Sequence, residues 1–185
     1  GVLFCLQRVT ACFHQPLAVS YRWALEVGDL VRVSIGQDSH RFDFEDKEKK
    51  LVLGGIFLEG APLKGNSDAD VVLHALTNAV SGITGVNILG AVADKMCLEE
   101  GITDSSAYLA EALKHLKGNI CHASFSIECL VPKLSPHIPR MKKQIAGLLG
   151  IDEANIGMTA TTGEGLTDFG KGLGIQCFCV LTVSD

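Results

Sequence analysis

The sequence lacks the long apolar run of a membrane helix and the excess of basic residues of a nucleic-acid-binding protein. A membrane span needs about 18 uninterrupted apolar residues, whereas a typical apolar run here, residues 177–181, has the length of a strand. The chain holds 16 Lys and Arg against 21 Asp and Glu, a net charge of −5. Because binding to a phosphate backbone needs a basic face, this balance argues against a nucleic-acid partner.

The composition also excludes intrinsic disorder, because hydrophobic residues make up 47% of the chain and charged residues only 20%. The 185 residues fit one domain with a sizeable core, and no internal repeat or low-complexity tract divides them. The mean hydropathy of +0.28 is high for a small monomer. This value indicates a surface that is buried between subunits.

No pair of cysteines has the CxxC spacing, although the chain contains seven cysteines. An odd number without a spacing pattern does not make a disulfide framework. We therefore predict reduced and mostly buried thiols, of which Cys177 and Cys179 alternate with apolar residues on a strand.

Residues 1–30 hold only two acidic residues, Glu26 and Asp29, and show no clear hydrophobic period. Three hypotheses compete for this N-terminal extension: a remnant of an organelle transit peptide, an upstream stretch set by the choice of start site, and a genuine extra element. We favour the second and assign the extension no function, so residues 31–185 form the predicted domain. The predicted location is the bacterial cytoplasm, or a plastid-type organelle if the transit hypothesis holds.

Hydrophobic periodicity predicts a single α+β domain with a mixed β-sheet and helices packed on one face. Residues 31–35 alternate apolar and polar side chains as a half-buried strand does. Ser67 and Asp70 form a capping pattern before one helix, and Asp104-Ser105 caps another. The predicted strands are 31–35, 51–53, 125–130, 156–161 and 174–183, and the predicted helices are 71–80, 105 to about 116, and 136–149.

Two segments could supply metal ligands. Asp38 and His40 are two residues apart after the first strand, so an extended backbone projects both side chains to the same side. His74 follows Asp70 by four residues, so we expect the Asp70 carboxylate to hold the second nitrogen of the imidazole. One Asp and two His with an open fourth position form a catalytic type of Zn²⁺ site. The alternatives are surface polar residues and a histidine satisfied in the core.

Two further segments could form a phosphate-binding pocket. Residues 159–165 end a strand in hydroxyls and glycines that can donate to phosphate oxygens, while Glu164 offers oxygen to a hard cation. Lys171 adds a positive charge among the glycines of residues 170–174. The alternative is that these glycines only form turns. Residues 132–139 are rigid because they contain three prolines, and they could shape a pocket wall.

Four of these segments, in this order and spacing, resemble the 2-C-methyl-D-erythritol 2,4-cyclodiphosphate synthase family of the non-mevalonate isoprenoid pathway. The motifs are D-S-H at 38–40, S-D-A-D-V-V-L-H-A-L at 67–76, P-K-L-S-P-H-I-P at 132–139 and T-A-T-T-G-E-G-L at 159–166. The resemblance covers residues 31–183. It implies a phosphorus–oxygen lyase that converts 4-diphosphocytidyl-2-C-methyl-D-erythritol 2-phosphate to the cyclic diphosphate and releases CMP, by metal-assisted intramolecular phosphoryl transfer.

The resemblance also implies roles for particular residues and an assembly. Asp38, His40 and His74 would bind one Zn²⁺, and Glu164 would help to hold Mg²⁺ or Mn²⁺ on the substrate diphosphate. Thr162 would stabilise the transition state by hydrogen bonding. The active sites would lie between the subunits of a homotrimer, with no nucleic acid or membrane as partner. The substrate-contacting residues would be Ser39, Asn66, Ser67, Gly90, Asp94, Cys129, Pro132, Lys133, Leu134, Ser135, Thr161, Thr162 and Lys171.

The sequence departs from the family pattern at four positions. Asn66 stands where many members have histidine, Asn78 where aspartate is usual, and Lys171 where arginine is common. Ile88 occupies the aspartate position of a Gly-Asp-Ile-Gly loop. We predict that Asn66 is catalytic, because its amide can hold the attacking phosphate beside the N–H groups of a helix start. The alternative is that Asn66 only forms the turn after Gly65.

Two other functions remain as alternatives. One is a metal-dependent phosphohydrolase that activates water on the same Zn²⁺, and it would release phosphate rather than CMP. The other is a non-catalytic trimer that binds a cytidine nucleotide or an isoprenoid diphosphate, which the altered 87–90 loop suggests.

Overall fold

A computed structural model describes residues 30–185 of the chain, and the hypotheses about the N-terminal extension lie outside the described residues except for Leu30. In chain order the strands are β1 (Val31–Arg41), β2 (Leu51–Leu53), β3 (Ile56–Leu58), β4 (Asn119–Glu128), β5 (Ile156–Thr161) and β6 (Gly174–Ser184). The helices are α1 (Val71–Thr84), α2 (Ala91–Leu98), α3 (Ser105–Leu113) and α4 (Ile138–Leu149). None of the helices in the described part of the chain has the length and apolar character to cross a membrane.

Four strands form one mixed sheet in the order β1-β6-β4-β5, and β2 and β3 form a separate hairpin. Strand β6 runs antiparallel to both of its neighbours, whereas β4 and β5 are parallel. Helix α1 packs on β1 and β6, and α3 packs on α1. The predicted α+β class with a mixed sheet is therefore confirmed.

The two faces of the sheet differ in their surroundings. The face that α1 covers is buried, and in β6 it presents alternate side chains from Ile175 to Val183, all fully buried. The opposite face carries apolar side chains that remain accessible: Val33 and Ile35 of β1 are 62% and 65% exposed, and Phe178 and Val180 of β6 are each 40% exposed. We call this opposite side the open face.

Two short elements were absent from the sequence prediction, and one cap was assigned wrongly. Strand β3 contains only three residues, and α2 buries only Ala93, so neither has a full hydrophobic period. Ser67 does not cap α1, because the helix begins at Val71 and the Asp70 side chain accepts from the N–H groups of Val72 and Leu73. The Asp104 cap of α3 is confirmed.

The described cysteines are free, and three of the five are buried. Burial raises the pKa of Cys129 to about 11 and that of Cys179 to about 12, and it also raises the pKa of Cys177. These thiols are therefore protonated and unreactive. The predicted reduced and mostly buried thiols are confirmed for the described residues.

Gly36 allows β1 to contact α1 directly. A Cβ atom at this position would lie 2.0 Å from the carbonyl oxygen of Ala75 and 2.4 Å from the backbone nitrogen of Ala79. Because both atoms belong to the helix backbone, no side-chain rotation could relieve the clash. The approach matters for the site, since β1 carries Asp38 and α1 carries His74.

We predict that Gly36→Ala lowers the free energy of unfolding by about 2 kcal/mol or more, because α1 must move away from the sheet. Gly147→Ala is the matched control: Gly147 is exposed on α4 and has no atom within 4 Å of an added Cβ. The control should raise the free energy of unfolding by up to about 1 kcal/mol, because alanine is the better helix former. Urea unfolding at one protein concentration measures both. Equal stability of the two variants would contradict the prediction.

Candidate metal centre and adjoining cavities

The structure brings Asp38, His40 and His74 together at the buried face of the sheet. Asp38 and His40 alternate along β1 and so share one face, and His74 lies on the helix that packs against it. The Oδ2 atom of Asp38 lies 2.8 Å from Nδ1 of His74 and 3.1 Å from Nε2 of His40. The sequence prediction of this convergence is confirmed.

His40 is oriented by the backbone. Its Nδ1 atom lies 2.7 Å from the carbonyl oxygen of Lys64, and a carbonyl can only accept, so Nδ1 carries the hydrogen. The lone pair of a neutral ring therefore resides on Nε2, the nitrogen that faces Asp38. This tautomer is the one that leaves Nε2 free to bind a metal ion.

His74 is oriented by a different group from the one that the sequence predicts. Its Nε2 atom lies 2.9 Å from the hydroxyl oxygen of Ser105, the first residue of α3. The expected contact between the Asp70 carboxylate and the His74 ring is wrong, although the backbone N–H of His74 donates to the backbone carbonyl of Asp70. In an α-helix a spacing of four residues places a backbone N–H on the carbonyl oxygen four residues earlier, and this is the bond that joins His74 to Asp70.

Asp70 stabilises the helix rather than the imidazole. The carboxylate is fully buried and accepts from four backbone N–H groups, of Gly54 and Gly55 in the β2–β3 turn and of Val72 and Leu73 in α1. Burial raises the pKa of Asp70, and the hydrogen bonds from these N–H groups oppose that effect. The side chain thus connects the hairpin to the start of the helix that carries His74.

The Asp38 carboxylate is held in its ionised form. Its partial burial alone would raise its pKa, but hydrogen bonds from His40 and His74 lower the pKa to about 2. Burial alone would lower the pKa of His40, and the hydrogen bond and charge of Asp38 raise it above its ordinary value. The pair of shifts follows from one carboxylate placed between two imidazoles.

The three side chains fit a divalent transition-metal ion. One carboxylate oxygen and two ring nitrogens lie within 4.8 Å of one another, and within residues 30–185 this is the one such group of three or more possible ligands. Oxygen and imidazole ligands in a set of three suit Zn²⁺ with a fourth position open to substrate. The group faces a cavity of about 500 Å³, which gives that fourth position access.

Four predicted substrate-contacting residues line this metal-side cavity together with the three ligands: Asn66, Ser67, Gly90 and Asp94. Sequence reasoning missed other lining residues, because neither motif nor period marks them: Leu89, Ala93, Cys97 and Tyr108. Asn78, which departs from the family pattern, and Asn87, which precedes the departure at Ile88, also line the metal-side cavity. Ile88 is buried in the core and points away from the cavity lining.

Asn66 lies at the metal-side cavity, but four residues before Asp70, the cap of α1. Asn66 is exposed, and its backbone carbonyl oxygen accepts a hydrogen bond from the Cys97 thiol at 3.3 Å. The first N–H groups of α1 are bonded to Asp70 instead, so the expected contribution of that helix start to a phosphate site at Asn66 is wrong. The predicted catalytic role of Asn66 stays a prediction.

A second cavity, of about 380 Å³, contains the residues predicted to contact cytidine. We call it the proline-side cavity, because Pro132 and Pro136 form part of its wall. It is lined by Cys129, Leu130, Pro132, Lys133, Leu134, Ser135, Pro136, Ala160, Thr161 and Thr162. It shares no lining residue with the metal-side cavity.

Three predicted site residues lie outside both cavities. Ser39 lines a separate cavity of about 210 Å³ between β1 and the loop that contains Asp168. Glu164 and Lys171 are exposed on the loop before β6, and Glu164 has a left-handed φ of 52°. The predicted roles of these residues toward substrate or a second ion stay predictions.

A mixed sheet that presents one carboxylate and two imidazoles to an open cavity is typical of a metal-dependent enzyme of small-molecule metabolism. The chain belongs to the YgbB family, whose model matches residues 31–184. A 2-C-methyl-D-erythritol 2,4-cyclodiphosphate synthase of Chlamydia felis is 51% identical over 157 residues, which cover 83% of this chain and 89% of that protein. The corresponding protein of Chlamydia abortus is 49% identical over 84% of this chain and 90% of its own length.

Solved structures agree with these relatives. IspF of Plasmodium falciparum in its CDP complex has a TM-score of 0.71 and 26% sequence identity, covering 84% of this chain and 97% of that one. A structure of 2C-methyl-D-erythritol-2,4-cyclodiphosphate synthase has a TM-score of 0.73 and 28% identity, covering 83% of this chain and all of that chain. The family that the four motifs indicate is therefore confirmed.

We predict that Asp70→Ala lowers the free energy of unfolding by on the order of 3 kcal/mol, because it leaves four N–H groups without their acceptor. Asp104→Ala is the matched control, since Asp104 is an exposed cap that accepts only from Ser106 N–H. Its removal should cost about 1 kcal/mol. Urea unfolding of both variants measures the difference, and equal losses would show that the buried carboxylate has no special role.

Proposed function

We propose that this chain converts 4-diphosphocytidyl-2-C-methyl-D-erythritol 2-phosphate to 2-C-methyl-D-erythritol 2,4-cyclodiphosphate and releases CMP. The observation that carries the proposal is the Asp38, His40 and His74 group at the mouth of the metal-side cavity. The names of the relatives that are 49% and 51% identical support the reaction. The bacterial origin of these relatives supports a bacterial cytoplasmic location.

The reaction is intramolecular, so the main task of the protein is to hold two parts of one substrate in line. The 2-phosphate attacks the β-phosphorus, a new P–O bond forms, and the bond to the CMP oxygen breaks. Tethering and charge neutralisation supply most of the rate in such transfers. The Asn66 amide, at the metal-side cavity, can donate to the attacking phosphate, and the Thr162 hydroxyl can donate to oxygens of the transition state.

Asp38, His40 and His74 would hold Zn²⁺, which supplies Lewis-acid neutralisation of phosphate oxygens when bound. The ionised Asp38 carboxylate and the Nε2 lone pair of His40 are already directed at one point. Glu164 would contribute an oxygen ligand for Mg²⁺ or Mn²⁺ on the diphosphate, since carboxylate oxygen suits these hard cations. The proline-side cavity, with Lys133 at its wall, would hold the cytidine diphosphate.

We infer further that one active site is built from two copies of the chain in a homotrimer. Strand pairing aligns Ser39, Gln176, Glu128 and Thr161 in one row across the sheet. Because β1 and β5 are the two edges, the ends of this row are about 14 Å apart at about 4.8 Å per strand. Thr161 also faces the side opposite to Asp38 and His40. One substrate molecule therefore reaches the metal-side cavity of one copy and the proline-side cavity of a neighbouring copy more readily than both cavities of a single copy.

The open face supports the same assembly. Val33 and Ile35 of β1 lie beside Val180 and Phe178 of β6 on this face, and all four are accessible in the single chain. Contiguous exposed apolar side chains on one sheet face mark an interaction surface. A homotrimer packed through its open faces would remove them from water, in agreement with the high mean hydropathy.

The activity is tested by phosphorus NMR of the substrate with and without Zn²⁺ and Mg²⁺. We expect CMP and the cyclic diphosphate, and loss of both with His74→Ala, because two remaining ligands rarely hold the ion. His115→Ala is the control, since His115 is exposed beyond the end of α3 and should leave turnover unchanged. Release of inorganic phosphate would favour the phosphohydrolase, and CMP binding without product would favour the non-catalytic trimer.

The shared site is tested by mixing two inactive variants. His74→Ala subunits retain an intact Lys133, and Lys133→Ala subunits retain an intact metal group, so mixed trimers contain some complete sites. We expect activity to return after unfolding and refolding the two together, on the order of a tenth to a third of wild type. The control mixes His74→Ala subunits with subunits that carry both substitutions, because no subunit of that mixture has an intact metal group. An active monomer by light scattering would end the shared-site proposal.

A further inference from the structure

A chain of three polar side chains stands behind the metal group, on the side away from the cavity. The Nε2 atom of His74 lies 2.9 Å from the hydroxyl oxygen of Ser105, which in turn is hydrogen-bonded to Oδ1 of Asp68. Ser105 is fully buried, and His74 is almost fully buried. The three side chains come from the loop before α1, from α1 and from the start of α3, and Ser105 is 31 residues from His74 in sequence.

Donor and acceptor counting fixes the direction of the hydrogen bonds. An ionised carboxylate only accepts, and Asp68 already accepts from the backbone N–H groups of Asp70 at 3.1 Å and Ser105 at 3.0 Å. The Ser105 hydroxyl has one hydrogen, and it donates that hydrogen to Asp68. Its oxygen is then left as an acceptor toward His74, and it accepts from Nε2 whenever that nitrogen carries a hydrogen.

The consequence falls on the other ring nitrogen. When Nδ1 of His74 binds a metal ion, it gives up the hydrogen that it directs at the Asp38 carboxylate 2.8 Å away, and the neutral ring carries its hydrogen on Nε2, where the Ser105 oxygen accepts it. The opposite tautomer would place a hydrogen on Nδ1 and block it as a metal ligand.

We propose that Ser105 and Asp68 are positioning residues that keep His74 in the Nε2–H tautomer and so prepare Nδ1 to bind the metal ion. The inference rests on the metal centre of the proposed function and adds two residues that touch neither metal nor substrate. The Ser105 hydroxyl thus accepts from the ring of His74, as the Lys64 carbonyl accepts from the ring of His40. Outer partners of this kind contribute about 10- to 100-fold to metal affinity.

Two variants test the proposal from different positions. Ser105→Ala removes the hydroxyl and leaves the backbone N–H that binds Asp68. Asp68→Asn keeps the size of the side chain but gives it an amide that can donate, so the hydroxyl can reverse and donate to Nε2. Thr77→Val is the matched control, because it also removes a buried hydroxyl, one that donates to the Leu73 carbonyl of α1 and has no bond to His74.

Two measurements on the full chain read the outcome. Competition with a chromophoric chelator gives the Zn²⁺ affinity, which should fall about 10- to 100-fold in both variants and stay unchanged in the control. Long-range proton–nitrogen NMR of the metal-free protein should show a larger fraction of the Nε2–H ring of His74 in wild type than in either variant, because the variants lack the acceptor at Nε2. If Ser105→Ala does not fold, Asp68→Asn decides the result.

The result also separates this inference from the proposed function. Wild-type Zn²⁺ affinity and an Nε2–H tautomer in both variants would overturn the role of Ser105 and Asp68 while the metal centre stands. Absence of Zn²⁺ binding by wild type would instead contradict the metal centre of the proposed function. In that case, equal fractions of the Nε2–H ring in wild type and in both variants would overturn the inference as well.

Discussion

The close contact between β1 and α1 is the constraint on which the site depends. Gly36 lets the backbone of the helix rest directly on the strand, and two residues further along β1 Asp38 meets His74. A side chain at position 36 would push the two elements apart, because its Cβ would lie 2.0 Å from the Ala75 carbonyl oxygen. The helix is fixed from its other end by Asp70, whose buried carboxylate connects its first turn to the β2–β3 hairpin. Packing and capping thus determine the geometry of the ligands before any ion binds.

The two histidines face one candidate metal position through different ring nitrogens, Nε2 of His40 and Nδ1 of His74, and different groups hold them there. His40 is held by a backbone carbonyl, which can only accept, so its tautomer is set by the fold of the loop at Lys64. His74 is held by a hydroxyl, which can donate or accept, so its tautomer depends on what the hydroxyl itself bonds. A hydroxyl placed next to a carboxylate behaves as an acceptor toward the ring. This difference explains why two side chains, Ser105 and Asp68, stand behind His74, whereas one carbonyl oxygen suffices behind His40.

The sequence is sufficient to predict the local elements and the grouping of Asp38, His40 and His74, but not the groups that orient the two histidines. The Asp38–His40 spacing and the periodicity of α1 are local signals, and both were interpreted correctly. The partner of His74 was not, because Ser105 is far along the chain and looks like an ordinary helix-start residue. The nearby Asp70 was chosen instead, and only the packing of α3 on α1 distinguishes the two. Strand β1 was also predicted too short, since its polar half carries site residues rather than an apolar alternation.

The separation of the two cavities follows from the same sheet that brings the metal ligands together. Strand pairing places Thr161 on the face of the sheet opposite to Asp38 and His40, and it lies on the opposite edge strand. In the proposed function, a single copy thus carries two incomplete sites, and its open face leaves apolar side chains accessible. Association of copies through the open face would complete the sites and bury the apolar side chains in one step. In the proposed trimer, the hydrophobic effect that stabilises the assembly is then also what assembles the catalytic groups.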